Sequence, residues 1–186
     1  MNKQEEFNSR DLSKAINFNE LYIFYSPRIS RHIYLRIRQT EETNDLTSEV
    51  FLRTWQYLKK GQKIRNIKPF LYKIADNLIV DYIRSNKYQA NLEDDSDLEK
   101  IETDNPVNDV SQKLNNFIDS EEISKALEKL NEKYKKLLIM RFIDELEIDE
   151  ICQILNKSRG AINVAIHRAL KTLRENLENE KNEGKL

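Results

Sequence analysis

The chain has 186 residues, 39% of them hydrophobic and 34% charged, enough for one ordinary domain or two small ones with much exposed surface. Three glycines and three prolines favour long helices over a many-stranded fold. The net charge of −1 argues against a nucleic-acid binder, yet it is unevenly spread: residues 17–89 carry +6, 90–122 carry −9 and 123–186 carry +2.

The first 14 residues, MNKQEEFNSRDLSK, contain no apolar run, so no signal peptide is expected. No stretch approaches the roughly 18 apolar residues of a membrane span, so no membrane insertion is expected. The single cysteine, Cys152, excludes an internal disulfide and fits the cytoplasm. On an apolar helical face it reads as a small core filler.

Helical spacing then appears in order. FNELYIFY forms one run. SPRISRHIYLRIRQ forms a second, with Ser26 as N-cap and Pro27 at the first helical position, where a missing N–H costs nothing. DLTSEVFLRTWQYLKK starts at Asp45, whose charge suits a helix N-terminus, and places Leu46, Val50, Phe51, Trp55 and Leu58 on its apolar side. GQKIRNIK reads as a basic loop. PFLYKIADNLIVDYIRSNK starts at Pro69, with Leu71, Ile74, Ala75, Leu78 and Tyr82 on one face. The mixture of basic residues with Phe70, Tyr72 and Tyr82 suits single-stranded nucleic acid, because bases stack and phosphates pair. The same aromatics fit a core, most clearly Phe70 and Tyr82.

Residues 90–120 form an acidic stretch containing Pro106, without clear periodicity and too long for an ordinary loop; they read as a linker, mostly extended. The C-terminal block is again helical. DSEEISKALEKL has Asp119 and Glu122 at capping-box spacing. Asn131 can cap EKYKKLLIMRFI, and IDEICQIL and RGAINVAIHRALKTLRENL follow. The charged tail, 179–186, is expected to fray. No internal repeat is visible.

The join ICQILNKSRGAIN has the chemistry of a helix-turn-helix. Cys152 is small enough for a close crossing. Asn156 tolerates left-handed backbone geometry. Ser158 can cap the second helix, and Gly160 leaves a bare backbone for close approach. On that helix Ile162, Ile166, Ala169, Leu173 and Leu177 share one arc. Arg159, Asn163, His167, Lys171 and Arg174 share the neighbouring arc, offering donors that can read base edges in the major groove. An ordinary solvated helix face is the competing reading.

With these segments in place, the chain resembles a bacterial RNA polymerase sigma factor of the extracytoplasmic-function group. The resemblance rests on NDLTSEVFLRTW and PFLYKIADNLIVDYIR in the first half, and on LEKLNEKYKKLLIMRF and IDEICQILNKSRGAINVAIHRALKTLRE in the second. It implies an all-α fold with two small helical domains, residues 17–89 and 121–178, on the acidic linker. It implies that Asp45, Glu49 and Arg53 dock on core RNA polymerase. Lys63, Arg65, Lys68, Lys73 and Asn77 would meet the minus-ten element, with the loop holding a flipped base beside Asn77. Ser158, Arg159, Asn163, His167, Arg168 and Lys171 would meet the minus-thirty-five element. The linker would thread the polymerase channel. An anti-sigma factor is a further implied partner.

No nucleophile–base set, metal-ligand cluster or phosphate-binding glycine loop is visible, so neither enzymatic activity nor a cofactor is expected. Two alternatives stay open: a stand-alone helix-turn-helix regulator, and a helical adaptor with no DNA role.

Overall fold

The computed structural model describes residue 7, residues 15–93, residue 125 and residues 127–183. Among them the regular elements are helices: α1 Ala15–Ile37, α2 Thr40–Lys59, α3 Ile67–Glu93, α4 Glu132–Leu138, a π-helical turn Ile139–Ile143, α5 Ile148–Leu155 and α6 Arg159–Glu183. The expected capping pair Asp119 and Glu122 lies outside the described residues, as does the acidic stretch beyond Glu93.

The expected break at Ser26 and Pro27 does not occur. α1 runs through both, with Pro27 inside it. Leu21, Tyr25, Ile29 and Ile33 recur every four residues and all are essentially inaccessible. That continuous buried stripe offsets the backbone hydrogen bond that proline removes. α1 ends at Ile37, and the next residue, Arg38, takes a left-handed φ of 56°.

α2 starts five residues before Asp45, at Thr40, and Glu41 and Glu42 supply the acidic first turn instead. Its buried side includes three threonines that an apolar pattern overlooks: Thr43, Thr47 and Thr54. Each hydroxyl donates to the carbonyl four residues back, at 2.5, 2.6 and 2.7 Å, so it is buried without an unmet hydrogen bond. Leu46 and Trp55 are only partly buried.

α3 starts at Ile67 rather than Pro69, placing the proline in its first turn. It runs to Glu93, four residues into the stretch read as linker. Leu71, Tyr72, Ala75, Leu78 and Ile79 are buried along it. α1, α2 and α3 pack on one another.

In the C-terminal half, Asn131 caps α4 as expected, its side chain accepting from the Tyr134 N–H at 3.0 Å. The run read as one helix through Ile143 changes at Ile139 to a π-helical turn, in which the Asp144 N–H donates to the Ile139 carbonyl at 2.9 Å. α6 extends to Glu183, so the helix continues into the tail expected to fray.

The two halves are in contact. α3 packs against α5, and α1 against the π-helical turn. One apolar cluster holds Ile29, Ile33, Leu71 and Ala75 together with Leu137, Met140, Leu146 and Ile151.

Candidate nucleic-acid interface

The helix-turn-helix is built by neighbours in sequence. Glu150 accepts from the Glu147 N–H at 2.9 Å, fastening the first turn of α5. Asn156 closes the helix at φ 50° and ψ 50°, and the Lys157 N–H donates to the Cys152 carbonyl at 3.2 Å. Ser158 Oγ accepts from the Ala161 N–H at 3.3 Å and starts α6. Cys152 is partly buried against the core. Gly160 does not serve a close packing contact, since a Cβ there would meet nothing within 4 Å. Its backbone is open toward solvent.

α6 separates into the two arcs expected. Ile162, Ile166 and Ala169 are buried, and Leu173 and Leu177 are partly so. Asn163, His167, Arg168, Lys171 and Arg174 are exposed. Arg159 is exposed too, and its guanidinium meets the Asp149 carboxylate at 2.7 Å. Lys171 lies 3.9 Å from Glu175, a surface pair of little energetic weight.

In the N-terminal half, Asp45 and Arg53 are exposed and Glu49 half-buried, on one face of α2. Arg53 and Glu49 are ion-paired at 2.6 Å. Lys63, Arg65 and Lys73 line an open cleft of about 520 Å³, whose aromatic wall is Tyr57 and Phe70 with ring centroids 4.9 Å apart. Basic groups beside aromatic rings suit an unstacked base and its phosphates. Asn77 is exposed on α3, which also carries Phe70 and Lys73. Of the aromatics considered for stacking, Tyr72 is withdrawn: it is 1% exposed, and its ring meets His32 edge-on at 5.1 Å. Burial holds its hydroxyl well above the ordinary tyrosine range. Phe70 and Tyr82 are half-buried.

Lys68 is turned away from the other basic residues. Its ammonium lies 3.1 Å from the Glu150 carboxylate and donates to the Glu145 carbonyl at 3.0 Å. It belongs to a set of polar contacts between the halves that sequence reading missed. Asp144 accepts from His32 across 2.6 Å, and both side chains are fully buried. Arg31 donates to the Ile143 carbonyl at 2.5 Å. Asp76 accepts from Lys136 at 2.6 Å and from Arg36 at 3.4 Å. Arg36 also reaches Glu132 at 3.3 Å. The detectable signal was a buried face of α1 and α3 carrying His32, Arg36 and Asp76 among apolar residues, but their partners are distant in sequence.

A chain whose described elements are all helices, and in which a left-handed turn leads into an exposed, donor-rich helix, has the form of a helix-turn-helix transcription factor. Comparison with known families agrees over both halves: "Sigma-70 region 2" matches residues 21–88 and "Sigma-70, region 4" matches residues 120–173. The chain is 29% identical over 162 residues to the ECF RNA polymerase sigma factor BldN of Streptomyces coelicolor. That match covers 86% of this chain and 60% of BldN. It is 29% identical over 170 residues to SigW of Bacillus subtilis, covering 86% and 88% of the two chains. It is 27% identical to YlaC of the same organism, covering 91% and 97%. The fold resembles the sigma factor RpoE in its complex with the anti-sigma factor NepR from Bartonella quintana, with a TM-score of 0.69 and 17% identity, covering 87% and 97% of the chains. It also resembles CnrH in complex with the cytosolic domain of CnrY, with a TM-score of 0.66 and 15% identity, covering 96% and 99%.

The chain belongs to the sigma-70 family, in the extracytoplasmic-function group of RNA polymerase sigma factors, and is a transcription initiation factor.

Proposed function

We propose that this chain binds core RNA polymerase in the cytoplasm and directs it to particular promoters, catalysing no reaction of its own. The observation that carries this reading is the exposed arc Asn163, His167, Arg168 and Lys171, set beside the buried Ile162, Ile166 and Ala169 on a helix begun by a left-handed Asn156. These donors read the minus-thirty-five element, with Ser158 and Arg159 at the leading end. The cleft residues Lys63, Arg65 and Lys73, with Lys68 and Asn77 of α3, bind and help open the minus-ten element. The α2 face with Asp45, Glu49 and Arg53 docks on polymerase. The functional units are residues 17–89 and 121–178, joined by the acidic linker 90–120 and followed by the tail 179–186. RpoE occurs in complex with the anti-sigma factor NepR, and CnrH in complex with the cytosolic domain of CnrY, which supports an anti-sigma factor for this chain.

The test mixes the purified chain with core polymerase and a pool of genomic fragments, then maps transcript start points. A stable complex and transcripts sharing an upstream element are expected. Replacing Arg168 and Lys171 with alanine should weaken promoter binding and flatten its salt dependence, the sign of lost phosphate contacts. Failure to form a polymerase complex, or transcripts without a common element, defeats the reading.

A further inference from the structure

We propose that a second cavity, walled by α1, α3, α4, α5 and α6, is a binding site for a small anionic amphiphile: an aliphatic chain ending in a carboxylate. The cavity measures about 510 Å³, a size typical of small-molecule sites. None of the residues proposed above to meet DNA or polymerase lines it, so the site does not depend on those roles.

The wall selects the chain. Leu137 and Ile162 line the cavity and are each 2% exposed, and Leu155, partly buried, adds to them. Ala161 and Ala165, one turn apart on α6, leave room that a longer side chain would fill. Val80 of α3 also lines the cavity and stays 37% exposed, an aliphatic group left in water. An alkyl chain laid against this wall removes apolar surface from water on both sides. The contrast with the basic cleft fixes the class of ligand. That cleft, of nearly equal volume, offers the rings of Tyr57 and Phe70, whereas no aromatic side chain among the described residues lines this cavity. A nucleic-acid base needs a π-face to stack on; an aliphatic wall offers none.

The charged lining selects the head group. Glu132 is its one carboxylate among the described residues, against four cationic side chains. Two of the cations are already engaged: Lys136 meets Asp76 at 2.6 Å, and Arg36 meets Asp76 at 3.4 Å and Glu132 at 3.3 Å. The other two, Lys133 and Lys157, are exposed and make no ion pair among the described residues. Lys133 opens α4 and Lys157 lies in the turn before α6, so two separate elements can each bring a flexible ammonium to one carboxylate. Charge-assisted hydrogen bonds of this kind are stronger than neutral ones. A cationic head group would meet repulsion from the same lysines.

The test uses the full chain and laurate, below the concentration at which laurate forms micelles. Equilibrium dialysis with radiolabelled laurate measures affinity and stoichiometry. Carbon-13 labelling of alanine methyl groups locates the ligand by the shifts of Ala161 and Ala165. Dodecyltrimethylammonium has the same tail with a cationic head, and acetate has the head without the tail. A165L fills the cavity, and K133Q/K157Q removes the unpaired cations. K59Q/K60Q is the charge-matched control, at two exposed lysines that do not line the cavity. Far-UV circular dichroism establishes that each variant is folded. The lysine pair and the wild-type methyl shifts keep the test decisive should A165L unfold. Sedimentation of wild type and A165L reports whether a second copy of the chain covers the same face.

One laurate should bind per chain and shift the Ala161 and Ala165 methyl resonances. A165L should abolish binding, K133Q/K157Q should weaken it about tenfold, and K59Q/K60Q should leave it unchanged. Acetate and dodecyltrimethylammonium should each bind at least about tenfold more weakly than laurate. The proposal is overturned if laurate does not saturate a site, or if it binds while the two methyl resonances stay still. Equal binding of the cationic amphiphile overturns it as well, because the tail alone would then account for affinity. So does an equal loss in K59Q/K60Q, since net charge would explain the effect. A wild-type dimer that A165L converts to monomer also overturns it, by showing that a second copy occupies the face.

Discussion

Two basic residues with the same proposed task, Arg159 and Lys68, are held in opposite ways. Arg159 opens α6 and meets Asp149, ten residues earlier, on a turn made by Asn156 and Ser158. Lys68 opens α3 and meets the Glu145 carbonyl, 77 residues later. The first environment is local and would survive in an isolated C-terminal half. The second exists only while the halves are in contact. A DNA-facing residue can thus be placed by its own turn or by a distant element, and only the first kind can be read along the chain.

The strongest challenge to this contrast is Asp144→Ala. It leaves the buried His32 without its partner, and Arg31 without a carboxylate 4.0 Å away. We expect a loss of about 3 kcal/mol in urea unfolding. A loss below about 1 kcal/mol would mean that the distant contacts matter no more than local ones.

Substitutions within the turn should be smaller and confined to the C-terminal half. Asn156→Gly removes the steric penalty of the left-handed backbone and should gain about 1 kcal/mol by thermal unfolding. Gly160→Ala adds a methyl group to open space within a helix and should gain about 0.5–1 kcal/mol. If promoter affinity falls although stability rises, the bare backbone serves DNA approach; if both rise, it does not. Ser158→Ala should cost about 0.5 kcal/mol, the low end for a cap, because its hydrogen bond is long at 3.3 Å.

Tyr25→Phe should have the least effect at neutral pH, since the hydroxyl it removes has no hydrogen-bond partner among the described residues. Burial, reinforced by Glu150 and opposed by Arg28, pushes that hydroxyl up to about 12. Its contribution to stability is complete below pH 10, the ordinary tyrosine value, and is lost as the pH rises toward about 12. A pH series of urea midpoints should therefore fall less steeply above pH 10 in Tyr25→Phe than in wild type. Tyr72, also raised by burial, sustains part of the fall in both. An unchanged slope would place Tyr25 away from the buried contact between the halves.

Much of the candidate interface was legible because it depends on helical periodicity and turn chemistry. Ile162, Ile166 and Ala169 are buried and Asn163, His167 and Lys171 exposed, as a 3.6-residue repeat requires. Asn156 and Ser158 perform the local tasks their side chains favour. The break expected inside α1 and the misread start of α2 had a different origin. Pro27 and Asp45 are good helix-start signals, but four buried residues through α1 and the acidic turn Glu41–Glu42 outweighed them.

The sequence by itself determined helices, the turn and the two arcs of α6, because these follow from interactions over three to five residues. Only the tertiary structure decided that Thr43, Thr47 and Thr54 belong inside, that Tyr72 is core, and that Lys68 faces Glu150. The same holds for His32 with Asp144 and Asp76 with Lys136. A charged or polar side chain carries no mark of its partner along the chain. Whether it is solvated, paired or buried is set by which distant surface folds against it, and by whether the pairing compensates the loss of water.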